Sequence, residues 1–152
     1  MIKGNKIILR ELSKGLDSSD SVTLNYDNRY RRRIAMKTDG GKDFLLDLAK
    51  TTELRSGDLI ELEDGRFIEV KAASEKLMKA TSNEPLLILK AAWHIGNRHL
   101  SCEIQMDNLI LRFDHVILQM LENLGLTLEV INQPFNPEGG AYGDTRTTGH
   151  QH

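Results

Sequence analysis

"EKLMKATSNEPLLILKAAWHIGNRHLSCEIQMDNLILRFDHVILQMLENLGLTLEVI" (residues 75–131) switches four times between strand-like and helix-like texture. "EKLMKA" (75–80) is short enough for a strand, and "SNEPLLILKAAWHIG" (82–96) reads as a helix. Ser82 or Asn83 can cap that helix, and Pro85 falls in the first turn, where a missing N–H costs nothing. Lys90, His94 and Asn97 then share one side, while Ile88, Leu89, Ala92 and Trp93 cover most of the other. Gly96 suits a left-handed ending. "SCEIQM" (101–106) and "LILRF" (109–113) follow as strands around a turn at Asp107-Asn108. A second helix, "DHVILQMLENLG" (114–125), has Asp114 as cap and Gly125 as stop. Its apolar stripe is Val116, Ile117, Met120, Leu121 and Leu124. "LTLEVI" (126–131) is the last strand. The order β-α-β-β-α-β predicts a ferredoxin-like unit.

Upstream, the texture is all strand. "KIILREL" (6–12) and "SVTLNY" (21–26) flank a Gly/Asp/Ser-rich connection. "RRIAMKTDGGKDFLLDL" (32–48) and "GDLIELEDGRFIEV" (57–70) read as hairpins that turn at Asp39-Gly40-Gly41 and Asp64-Gly65. No stretch before residue 70 carries a helical period. The expected class is therefore α+β: an N-terminal all-β domain (1–72), a ferredoxin-like βαββαβ domain (73–142), and a mobile C-terminal tail (143–152). The tail, Gly/Thr-rich with almost no apolar residues, lacks the means to pack.

Twenty Lys+Arg against 22 Asp+Glu give a net charge of -2, so no global basic field calls for nucleic acid or an anionic membrane. The single cysteine cannot staple the fold. The start lacks an apolar leader, and no apolar run approaches the ~18 residues needed to span a bilayer, so a cytoplasmic protein is expected. "RYRRR" (29–33) is a local basic cluster, but on a strand its members would alternate between faces. Only Phe113 offers a stacking ring on the second-unit strands, a poor RNA platform. No phosphate loop, nucleophile elbow or persuasive carboxylate pair marks an enzyme.

The histidines remain. His94 reads as a partly exposed helix residue and His115 as a packing accessory in the first turn of the second helix. On an unbroken helix His94 and His99 would stand roughly 140° apart and could not share an ion. His99 falls in a connection, where it is either a loop residue with no task or half of a site. Cys102 is the only other soft donor close by, and two ligands do not make a structural zinc site, which wants four. In a two-fold dimer, however, His99 arrives twice. His150 and His152, two apart at the end of the tail, can reach one metal. A purification tag is normally a pure histidine run, which Gln151 interrupts. Imidazole suits nickel, copper and zinc alike, and it ligates only when neutral, so affinity is expected to fall with pH through about 6.5.

"AAWHIGNRH", "DHVILQMLENLG" and "PFNPEGGAYG" together resemble the signature stretches of the urease accessory metallochaperone family UreE, and residues 31–70 are similar to that family's N-terminal domain. The resemblance covers roughly residues 10 to 143. It implies an N-terminal partner- or peptide-binding domain and a second domain for metal binding and homodimerisation. It further implies Ni(II) as cargo, delivered to apo-urease together with the accessory proteins, including the accessory GTPase. Zn(II) or Cu(II) could take its place. The metal ligands would be His99, shared across the dimer, with His150 and His152 as auxiliaries. Only two tail histidines argue against nickel storage, and "LRFDHV" keeps only His115 of an internal pair found in some relatives. The competing expectation is a non-enzymatic protein- or RNA-binding adaptor with incidental histidines.

Overall fold

The structure is a computed structural model that describes residues 1–141 and Arg146. The chain divides into two compact units, Met1–Ala73 and Ser74–His152.

The first unit is a six-stranded sheet. Its strands are β1 (Lys3–Ile8), β2 (Asp20–Leu24), β3 (Tyr30–Lys37), β4 (Asp43–Glu53), β5 (Leu59–Leu62) and β6 (Phe67–Ala72), in the spatial order β2-β6-β5-β1-β4-β3. Both predicted hairpins form, β3–β4 and β5–β6, with Gly41 and Gly65 in the left-handed region at their turns. Alternation decides which faces turn inward: Phe44, Leu46 and Leu48 of β4 meet Ile68 and Val70 of β6 in one buried cluster. "KIILREL" is only partly a strand. β1 ends at Ile8, and Arg10–Leu12 forms a 3-10 turn closed by the Leu12 N–H donating to the Leu9 carbonyl at 2.8 Å. The carboxylate of buried Asp58 directs this departure, accepting from the backbone N–H of Arg10 at 2.9 Å and of Arg55 at 2.8 Å.

The second unit is β7 (Ser74–Thr81), α1 (Pro85–Asn97), β8 (Glu103–Ile104), β9 (Asn108–Arg112), α2 (His115–Leu124) and β10 (Thr127–Pro134). Its sheet order, β10-β7-β9-β8 with every pair antiparallel, is the expected ferredoxin-like arrangement. Ile88, Ala91 and Ile95 of α1 and Leu121 of α2 pack with Met78, Ala80, Leu109 and Leu111 of the sheet. The inward arc of α1 therefore differs from the one expected. Leu89 and Trp93 face outward, and together with Leu86 they are 67 %, 65 % and 61 % exposed. On α2, Val116 is likewise exposed, whereas Leu121 takes the centre of the stripe. No helix among the described residues is long and apolar enough to cross a membrane.

Candidate metal centre

Both helices end with the same pair of hydrogen bonds, and that pair places His99. At the end of α2, the Gly125 N–H donates to the Glu122 carbonyl at 2.9 Å and the Leu126 N–H to the Leu121 carbonyl at 3.1 Å, with Gly125 at φ 108°. At the end of α1, the His99 N–H donates to the Gly96 carbonyl at 3.0 Å and the Leu100 N–H to the Ile95 carbonyl at 3.2 Å. Here the left-handed residue is His99, at φ 58°, the only non-glycine with positive φ among the described residues. Such a Schellman ending normally takes glycine, because a Cβ is penalised in that conformation. The sequence pointed to Gly96 for this job, but Gly96 stays within the helix. Stopping three residues later sets Leu100 against the core that holds Ile95, the apolar contact that accompanies this motif. Stopping at Gly96 would have offered Asn97 instead.

His99 is exposed, at the turn between α1 and β8. His94 is half-buried one turn earlier, its ring edge-on to Trp93 at 5.2 Å between centroids. It lines an open groove of about 690 Å³ beside α2, shared with Arg98, His115, Gln119 and Met120. His115 opens α2 directly after Asp114, whose carboxylate accepts from the N–H groups of Val116 and Ile117, and its ring meets Phe113 edge-on at 4.9 Å. His94 and His115 thus share a groove that His99 does not line. His150 and His152 lie outside the described residues.

Cys102 does not join His99 as a soft donor pair. Its side chain is buried in the core while His99 is exposed, and burial pushes the thiol up to about 12. Among the described residues, no three His, Cys, Asp or Glu side chains gather where they could hold a metal ion. The basic cluster disperses as well: Arg29 is buried, with its guanidinium donating to the Leu24 carbonyl at 3.2 Å, and Arg31 donates to Asn28 at 2.6 Å.

One feature of this unit had no signature of secondary structure in the sequence, although its residues belong to the family-like stretch "PFNPEGGAYG". After Pro134 the chain stays attached to the sheet. Phe135 is fully buried beneath the Arg112 guanidinium, 5.9 Å from its ring centroid. The Asn136 N–H then donates to the Glu103 carboxylate at 3.1 Å, and the Glu138 N–H to the Cys102 carbonyl at 2.9 Å. "PFNPEGG" reads as loop because Pro134, Pro137 and the glycines break every period, and long-range backbone bonds leave no local pattern.

Comparison with known proteins matches both units. Residues 8–73 match the family model described as UreE urease accessory protein, N-terminal domain, and residues 75–152 its C-terminal domain. The chain is 53 % identical over 131 residues to a urease accessory protein UreE of Cereibacter sphaeroides, covering 86 % of this chain and 70 % of that one. It is 47 % identical over 144 residues to that of Ruegeria pomeroyi, covering 95 % of each. To that of Azorhizobium caulinodans it is 44 % identical over 151 residues, 99 % of this chain and 72 % of the relative.

Proposed function

Because the chain belongs to the UreE family of urease accessory proteins, we propose that it is a non-catalytic carrier that delivers Ni(II) to apo-urease, working with the other accessory proteins, including the accessory GTPase. The ion is held by His99 from two copies of the chain, and His150 and His152 complete its coordination. Zn(II) or Cu(II) can occupy the same donors, since imidazole does not discriminate among them.

The observation that carries this reading is the left-handed conformation of His99. A position that glycine fills without strain at the end of α2 is filled by an exposed imidazole at the end of α1. Local strain of this kind, on the order of 1–2 kcal/mol, points to a side chain retained for a task. The second support is the outward stripe of Leu86, Leu89 and Trp93 on the helix that ends at this histidine. Steps of ~100° per residue put the three on one arc, nearly opposite Ile88, Ala91 and Ile95. Two copies meeting through α1 bury that stripe and bring both His99 turns into one interface. Two imidazoles with positions left open suit an ion that must leave again, whereas a closed four-ligand site suits one that stays.

Calorimetric titration with Ni(II) tests the reading. His99→Ala should abolish the tightest binding event while leaving the circular dichroism spectrum unchanged. Tight binding that survives this substitution removes His99 from the site and the proposal with it.

A further inference from the structure

We infer that β10 is a docking edge, to which an extended, basic segment of a partner protein adds as a fifth strand of the second unit's sheet. The two sheets leave four edges, β2 and β3 in the first unit and β8 and β10 in the second. An open edge offers its unpaired backbone groups to any extended chain, and proteins blunt it with charge, irregularity, brevity or a covering segment. Three of these four are blunted. β3 carries Arg31, Arg32 and Arg33 where its register against β4 breaks. β2 is met by backbone bonds near both ends: its Ser21 carbonyl accepts from Asp39 and its Leu24 carbonyl from Ala73, each at 2.8 Å. β8 is two residues long, and the Asn136 and Glu138 N–H groups bond to the Glu103 carboxylate and the Cys102 carbonyl at its start. β10 has none of these protections. It runs for eight residues and pairs with β7 from Thr127 to Pro134 without a register shift. Glu129 is its only charge, and its only proline is the last residue. Among the described residues, its backbone bonds to β7 alone. In an antiparallel ladder every second residue turns both backbone groups away from its partner, so about half of the N–H and C=O groups of β10 point outward.

Cross-strand pairing fixes the chemistry of the occupant. Val130 lies on the helix side of the sheet, beside Met78 of the core, and is still 48 % exposed. Glu129 lies on the other side, exposed; Lys79 is its neighbour on β7, but among the described residues Glu129 makes no ion pair. A strand laid against β10 therefore gains most from an apolar side chain opposite Val130 and a lysine or arginine opposite Glu129. A second copy cannot supply that cation through the same edge, because β10 contains no basic residue. The partner is thus a foreign segment of alternating basic and apolar residues, held by its backbone and selected by its side chains. α2 packs against β10 and α1 against β9, next to β8, so the stripe on α1 and the β10 edge lie on opposite flanks of the unit. Both can be occupied at once.

Nuclear magnetic resonance of the full chain, titrated to millimolar concentration with a synthetic peptide of alternating lysine and valine as long as β10, tests this. The amide signals of residues 127–134 should shift, and those of residues 1–73 should stay in place. A peptide with glutamate in place of lysine should bind more weakly, by roughly two- to fivefold for one cross-strand charge pair. Glu129→Lys, a change at an exposed side chain, should invert that preference. Methylating alternate amide nitrogens of the lysine peptide should cost roughly tenfold in at least one of the two possible patterns, since several backbone bonds are lost together. A peptide that binds elsewhere, or not at all, overturns the docking edge. Indifference to both methylation patterns overturns strand addition. Equal affinity for the lysine and glutamate peptides, or a preference that Glu129→Lys leaves unchanged, overturns the basic partner. If sedimentation finds the parent in larger assemblies than Val130→Lys with no peptide present, a second copy occupies the edge and the inference falls.

Discussion

At His99 the proposed ligand role and the ease of the backbone pull in opposite directions. Glycine at position 99 removes the Cβ that is penalised at φ 58° and keeps the two hydrogen bonds, both of which are backbone. His99→Gly should therefore raise the unfolding free energy by up to about 1 kcal/mol, less the chain entropy glycine adds to the unfolded state, while Ni(II) binding is lost. Thermal unfolding and titration on one sample read both, and a large loss of stability would show that the imidazole is structural. Cys102 makes the converse case. A thiol held near 12 is a thiolate in fewer than about one molecule in 10⁴ at neutral pH. An aromatic disulfide reagent should leave the native protein unlabelled for hours and react fully in denaturant; fast native labelling would contradict the burial.

Local chemistry made the elements legible where it was unambiguous. Asp39-Gly40-Gly41 and Asp64-Gly65 marked real turns, and Asp114 and Gly125 bounded α2, because residues of these types solve one backbone problem each. α1 was harder. It is apolar almost all round, so periodicity could not say which arc meets the sheet, and the tertiary fit chose Ile88, Ala91 and Ile95. β1 misled for another reason: apolar Ile7, Ile8 and Leu9 run on without showing that Asp58, far along the chain, ends the strand. The same strand holds a tight spot. A Cβ on buried Gly4 would come 2.6 Å from the Cγ2 of Ile60 and 3.1 Å from Leu62. Both neighbours belong to the first unit's core, and the β-branched Ile60 has little freedom to yield. Gly4→Ala should cost about 1–3 kcal/mol in chemical denaturation, and a neutral result would mean the core repacks freely.

At the scale of the whole molecule, the order of six elements in the second unit was readable from texture alone, and so was the all-β character of the first. The completed site was not, since its proposed donors come from a second copy and from the far end of the chain, and neither leaves a spacing in the sequence. The exposed apolar area on α1 is what the proposed pairing would cover. Trp93→Glu, which sets a charge in the middle of the stripe, should shift sedimentation toward the monomer and weaken Ni(II) binding together with it. A monomer that binds as tightly as the parent would uncouple pairing from cargo.

Trp93 is also the chain's one indole, two-thirds open to solvent on the stripe and six residues ahead of His99. Its emission therefore reports from a single known place. Association should move the fluorescence toward the blue as water leaves the ring, and a metal arriving nearby should change its intensity, so the protein carries its own optical gauge of both events.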